Sequence, residues 1–421
     1  MNPATGASLR RNDGLDALRG LLLVLMTVSH LPTAFSVWLG QPLGYVSAAE
    51  GFVMLSAFIA GQVYLRRGLD QGQAAMRRAL WARAAKVYRH HLALLAFGAS
   101  VILAIGVARQ EGAITSMFTV YLQDPLMAVT AALLLIYQPA LFDILPMYVM
   151  FLLLTPWVLG HVMRHGWTVP LALSVLIWVA SWAGLRVGFH EAVLSLTGWR
   201  LPIHATGAFN PFAWQMLWMV GLWLGTARMQ GAPQRLQVTP RLIGLLVVLA
   251  LAFVAWRHSG GYAPFGPGEW SVHLNRAVAK WNLGPLRLLN LFTVTLLIAA
   301  AGPWLTRHLA WAPLVCLGRA SLWVFSAHLV CCLLALVWLG PADLAASLGH
   351  LGEPGHPEVR ATVVDAIRRI RAAGKPAGFL SPDPAYCAGV VDAGCLFTAI
   401  DVDAALLRRA AVAKLKDFKD G

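Results

Sequence analysis

Three residues near the start of the chain have the types and spacing needed for general-base chemistry. Arg19 and His30 share one apolar stretch, eleven residues apart, and Glu50 lies in the next. On an α-helix, eleven residues return to within about 20° of the same face and rise roughly 16 Å. An imidazole held by a carboxylate can act as a general base, and a guanidinium matches a phosphate or carboxylate. A helix starting at Leu15 carries His30 about 22 Å along its axis, and one entering at Leu43 from the other side carries Glu50 about 10 Å deep. In an apolar core of about 30 Å the two fall at similar height, so Glu50 is expected to hold the His30 ring. Arg19 falls nearer the inner face. The alternative is that His30 and Glu50 are separate interfacial groups solvated by lipid headgroups.

Other polar groups sit inside or beside apolar runs. Asp143 precedes Ile144-Leu145-Pro146, where a helix start is as good a reading as a functional one. Gln215 follows Trp214, and an interhelical hydrogen bond is its plainer use. His328 lies mid-segment in Phe325-Ser326-Ala327-His328, as a structural hydrogen-bonder or a cavity residue. Arg89, His90 and His91 mark an inner membrane boundary. Cys316, Cys331, Cys332, Cys387 and Cys395 have no metal-ligand spacing. No glycine-rich phosphate loop and no nucleic-acid motif occurs, so neither a metal nor a nucleic-acid partner is expected.

The elements that must position these groups are membrane helices. The 421 residues are 58% hydrophobic and 12% charged, about half the charge of an average soluble domain. That composition excludes an ordinary soluble enzyme and a disordered chain. Of the net charge of +14, all the excess lies before residue 341: residues 1–340 hold 23 basic and 9 acidic residues, residues 341–421 hold 10 of each. All 17 tryptophans lie at or before Trp338. The expected fold is an all-α polytopic membrane protein of nine to ten spans over residues 1–339, with a C-terminal α/β fragment over residues 340–421.

Apolar stretches of spanning length fall at 15–37, 43–65, 88–108, 141–162, 168–187, 211–230, 240–257, 288–307 and 320–339. The stretch 122–137 is short and bounded by Pro125 and Pro139, and is expected to be re-entrant. The 66–89 loop carries Arg66, Arg67, Arg77, Arg78, Arg83, Lys86 and Arg89 against Asp70 alone, which places it and the N-terminus in the cytoplasm. The first apolar stretch is too long for a cleavable signal peptide, and no small-residue cleavage site follows it. Near Glu50, the small residues Ser47, Ala48, Ala49, Gly51, Ala57 and Gly61 are expected to let a second helix approach closely.

The run Asp16-Ala17-Leu18-Arg19-Gly20, followed by an apolar stretch to His30, resembles the opening of membrane acyltransferases of the acyltransferase-3 superfamily. Within it, residues 13–339 are most similar to the OpgC family, through Val46 to Ser56, Tyr137-Gln138-Pro139, Asp143 to Tyr148, Asn210 to Gln215 and Phe325 to Leu329. That family succinylates osmoregulated periplasmic glucans. The resemblance implies transfer of an acyl group from a cytoplasmic thioester such as succinyl-coenzyme A to a glucan hydroxyl outside a bacterial inner membrane. In it His30 would be the base and Glu50 its partner, while Arg19, Asp143, Gln215 and His328 would contact substrate. No bound cofactor is implied; the acyl-coenzyme A is a substrate.

The tail resembles another family. Gly340 to Gly349, His356-Pro357-Glu358-Val359 and Gly374 to Gly378 are similar to the end of HpcH/HpaI aldolases, in which the residue matching Asp343 helps hold a divalent metal. The earlier strands, the second metal ligand and the catalytic Arg and His of that family have no counterpart, and a barrel of that kind needs about 250 residues. Aldolase activity from this chain alone is therefore not expected. Two other readings stay open at this level: a transporter or flippase using His30, Glu50 and Arg19 as an ion path, and an inactive chimera.

Overall fold

The computed structural model describes residues 12–31, 39–109, 112–229, 239–259, 269–338, 356–372, 378–380 and 384–399. Asn12 starts α1 (Asp13–His30) by accepting from the Gly14 and Leu15 amides, which have no partner inside the helix. Ser47 and Glu50 start α2 (Ala48–Gln71) as a capping box. Next comes α3 (Gln73–Phe97), which continues through a π-helical turn to Ala108. Asp124 caps α4 (Pro125–Leu133), whose first residue needs no N–H partner. Then follow α5 (Ile144–His165), α6 (Thr168–Trp182) and α7 (Leu185–Thr197). Gly184, at φ +93°, makes the turn between α6 and α7, which are bent by 77°. The series ends with α8 (Pro211–Met229), α9 (Pro240–Ser259), α10 (Pro285–Ala300), α11 (Ala312–Arg319) and α12 (Ser321–Trp338).

Among the described residues, four helices are long and apolar enough to cross a membrane: α2, α3 with its continuation, α5 and α9. The count reaches six if the bent pairs α6–α7 and α11–α12 each make one span. This is fewer than the nine to ten expected, for identifiable reasons. Helix α1 carries Asp13, Asp16 and Arg19 within 18 residues, and α6 and α10 have 15 and 16 residues. The short stretch near 122–137 forms only the nine residues of α4, about 14 Å, so it does not cross by itself. Several apolar helices of membrane length remain, consistent with a multi-pass membrane protein.

The chain divides into two compact units, residues 1–104 with 116–335, and residues 105–115 with 336–421. In the first, the regular elements described are all helical, and close crossings hold them. Gly221 and Gly225 of α8 lie against the Met54 and Phe58 carbonyls of α2, and Gly61 of α2 lies against the Leu222 carbonyl. A Cβ at any of these would collide with backbone, so the small residues expected around Ala57 and Gly61 meet a matching set. Gly20 of α1 and Gly318 of α11 do the same at the Leu314 and Asp16 carbonyls. These crossings leave no room for sliding, and so fix where α1 and α2 deliver their polar residues.

In the second unit, α13 (Pro357–Ala372), β1 (Gly378–Leu380), α14 (Pro384–Asp392) and β2 (Phe397–Ala399) follow in order. The strands pair in parallel, Gly378 opposite Phe397, with α14 as the crossover between them. Ile367, Tyr386, Val390, Ala393 and Cys395 form the buried cluster beneath. This is the α/β piece expected at the C-terminus. Asp343, the Leu339–Gly340 junction and Lys375 lie outside the described residues.

Candidate active site

Helix α1 ends at His30, and α12 brings His328 beside it. The His30 Nδ1 to His328 Nε2 distance is 3.2 Å, with the rings stacked at 5.5 Å and 15°. The His328 Nδ1 lies 2.7 Å from the Phe325 carbonyl oxygen one turn back. A carbonyl only accepts, so His328 carries its proton on Nδ1 and, when neutral, presents Nε2 as an acceptor. His30 must then donate from Nδ1, which leaves the lone pair of its Nε2 unused. The relay runs from the Phe325 carbonyl through two imidazoles to one basic nitrogen.

His30 opens onto a cavity of about 1100 Å³. Trp182, Trp281 and Phe209 supply aromatic faces, and Gln41, Gln138, Asn210 and Asn282 supply amides. Asp143 lies in this wall at the foot of α5, where its carboxylate accepts from the Ala208 N–H at 2.9 Å. Burial raises the Asp143 carboxyl above its ordinary value, against the pull of that hydrogen bond. Arg186 donates to the Gly207 carbonyl and, at 2.9 Å, to Thr206 Oγ1. Arg257 donates to Gln41 Oε1 at 2.9 Å.

Glu50 is fully buried, and its partner is not His30. One carboxylate oxygen meets Arg287 Nη1 of α10 at 2.5 Å, with both side chains sealed from solvent. The other accepts from the Ser47 backbone N–H at 3.0 Å and from the Ser47 hydroxyl. Arg287 also donates from Nε to the Val278 carbonyl at 2.8 Å. The expected contact between Glu50 and His30 is therefore not made. Equal depth in a bilayer fixes height only, and rotation about each helix axis turned Glu50 toward α10. The pair braces the loop 278–284 before α10, which forms part of the cavity wall.

Arg19, on the same helix as His30, lines a different cavity of about 280 Å³ together with Arg83, Lys86, Arg319 and Tyr64. Between the two lies a small void of about 30 Å³. It shares Arg19, Arg83 and Tyr148 with the cationic cavity and Ile144 and Phe325 with the wide one. Phe52 and Phe325 stack across it at 6.4 Å. Gln215 lines neither cavity: Ser174 Oγ donates to its Oε1 at 2.8 Å and its amide returns to the Ser174 carbonyl, tying α8 to α6. His91 is fully buried on α3, while His90 bonds Ser326 Oγ at 3.0 Å.

Comparison with known proteins decides the family. Residues 10–350, about four fifths of the chain, match the OpgC protein family. The chain belongs to that family. OpgC membership points to a glucan-modifying acyltransferase role. Residues 331–410 match the HpcH/HpaI aldolase/citrate lyase family. The tail is similar to the pyruvate aldolase of Rhizobium etli, 56% identical over 82 residues, covering 20% of this chain and 32% of that protein. It is also similar to the hydroxypyruvate/pyruvate aldolase of Pseudomonas aeruginosa, 51% identical over 85 residues, again 20% and 32%. The chain thus spans about a third of the length of the curated relatives it matches. No solved structure matches it.

Sequence reasoning placed His30, Arg19 and Asp143 where this OpgC chain has cavities, but missed Arg287 and Lys280. Arg287 stands three residues into an apolar helix, a signal that the assumed start at residue 288 hid. Spacing also gave no metal site, yet one donor atom each of His30, His328 and Cys332 lie within 4.8 Å of one another. The hydrogen bond between the two rings occupies both facing nitrogens.

Proposed function

We propose that this chain is a multi-pass O-acyltransferase of the bacterial inner membrane. It moves an acyl group, succinyl by family resemblance, from a cytoplasmic coenzyme A thioester to hydroxyls of periplasmic glucans. The observation that carries this reading is the imidazole relay ending at the His30 Nε2 on the wall of a wide cavity. Aromatic faces and amides suit a sugar chain. The cationic cavity around Arg19 suits the phosphates of coenzyme A.

His30 takes the proton of the acceptor hydroxyl on Nε2 as the oxygen attacks the thioester carbonyl carbon. The carbon–sulfur bond then breaks, the ester remains on the sugar, and the imidazolium returns its proton to the leaving thiolate. His328 touches neither substrate; it holds the tautomer and orientation of His30. Glu50 acts at one remove, by fixing Arg287 and the loop that Arg287 bonds.

The test is acyl incorporation into periplasmic glucan in a strain lacking its own transferase, with membrane levels matched. His30→Ala is expected to lower transfer by on the order of 1000-fold. His328→Phe is expected to lower kcat by roughly 10- to 100-fold with KM for the donor unchanged, as for loss of an orienting hydrogen bond. A chain cut after Leu339 is expected to keep activity. Full activity in His30→Ala would overturn the reading.

A further inference from the structure

The cationic side chains in the wall of the wide cavity are already occupied, with one exception. Arg186 is spent on the Gly207 carbonyl and Thr206, and Arg257 bonds Gln41. Lys280 lines the same cavity, and its ammonium has no hydrogen-bond or ion-pair partner among the described residues. It lies 5.0 Å from the Trp281 ring centroid and 5.8 Å from that of Phe209, a stabilising contact that leaves its N–H groups unsatisfied. The carboxylates of Glu50 and Asp143 attract the ammonium electrostatically, but neither makes an ion pair with it among the described residues: Glu50 is bonded to Arg287 and Asp143 accepts from the Ala208 N–H.

The loop carrying Lys280 is held in place on several sides. Trp214, fully buried, donates from Nε1 to the Lys280 and Trp281 carbonyls at 3.2 Å each. Asn210 donates to Asn282 Oδ1 at 3.0 Å, and Trp178 to the Leu283 carbonyl at 3.0 Å. Arg287, fixed by Glu50, holds the Val278 carbonyl. A flexible lysine on a mobile loop would turn to water. Here the backbone is pinned and the side chain lies over two rings, so the charge stays in the cavity. Burial pushes the Lys280 ammonium below its ordinary value. An unpaired cation so placed is costly until an anion meets it.

We propose that Lys280 binds the free carboxylate of a dicarboxylic acyl group, and so selects that acyl group over a neutral one of similar size. The inference rests on the acyl-transfer reading above and adds the residue that recognises the acyl chain. A neutral glucan brings no anion to this wall, and the coenzyme phosphates have Arg19, Arg83 and Lys86 at the other cavity. The carboxylate at the far end of the acyl chain is the remaining negative charge in the reaction. An anionic substituent already on the acceptor would offer the same chemistry, so the test separates donor from acceptor.

The full chain in proteoliposomes is assayed with succinyl- or acetyl-coenzyme A, each with a neutral glucan and with one already carrying acidic groups. In parallel, detergent-purified protein is titrated with S-carboxypropyl-coenzyme A and its neutral S-butyl counterpart. Lys280→Met is expected to lower succinyl transfer roughly 30-fold, as for loss of one charge-assisted hydrogen bond, and to leave acetyl transfer within about twofold. It should abolish the preference for the carboxypropyl ligand, and Lys280→Arg should keep it. An equal fall with both donors, or a preference that follows acceptor charge, overturns the proposal. If wild type prefers the carboxypropyl ligand through Lys280 but transfers neither acyl group, acyl transfer falls and the carboxylate site stands. If it binds the two ligands alike, the site falls whatever the transfer rates.

Discussion

The two ends of α1 face cavities of opposite character. At the His30 end the space is about 1100 Å³, lined by amides and indoles, with most of its charges matched by partners. At the Arg19 end it is about 280 Å³ and carries Arg19, Arg83, Lys86 and Arg319, the last ion-paired with Asp13 at 2.7 Å. A wide wall of mixed donors, acceptors and rings fits a neutral sugar chain, whereas a small, mainly cationic cage fits polyphosphate. On the proposed function, eleven residues of one helix separate the grip on a donor from the chemistry on an acceptor. The lesson is that an apolar helix can serve two compartments by what it meets at each end.

The largest effect expected belongs to the support under the wide cavity. Arg287→Met leaves Glu50 buried without its cation and should cost about 3–5 kcal/mol, read as a lower Tm in detergent and lower membrane levels. Glu50→Gln combined with Arg287→Met should recover much of that loss. A double variant no better than the single would show that the two do not act as a pair.

A smaller effect would sharpen the division between the cavities. Arg19→Ala should raise KM for the coenzyme A donor on the order of 10-fold, with kcat and the acceptor KM little changed, and Arg19→Lys should fall between. An equal change in donor and acceptor constants would merge the two ends into one site. The smallest effect concerns Asp143. Its carboxyl is raised by burial, so the folded state favours the protonated form. The stability this gives is present below the ordinary value of 3.8 and is lost as pH rises through the raised one. Wild type should therefore lose Tm relative to Asp143→Asn across that window. A difference that does not change with pH would show that Asp143 keeps its charge in the wall.

Local patterns made part of this legible. Helix periodicity put Arg19 and His30 on one face, and small residues after Glu50 announced the crossing that Gly221 and Gly225 complete. The shift in charge and tryptophan content near residue 340 marked a tail of different origin, which the aldolase match bears out. The depth argument for Glu50 failed because bilayer depth is one coordinate, and a contact also needs the rotation of each helix. The span count was too high because apolar content alone does not measure helix length. Asp16 and Arg19 put charge into the first stretch, and the bend at Gly184 breaks one that read as continuous.

By itself the sequence determined that the described residues before 339 are mostly apolar helices, that Arg19 and His30 share a face, and that the tail differs in kind. Those properties arise from neighbours a few residues apart, where geometry is fixed by the backbone. Only the tertiary structure decided that His30 pairs with His328, 298 residues away, that Glu50 pairs with Arg287, 237 residues away, and that Lys280 makes no ion pair among the described residues. A polar group sealed from water bonds with whatever the helix packing brings within about 3 Å. Which groups those are depends on the crossings, and the crossings depend on the whole chain.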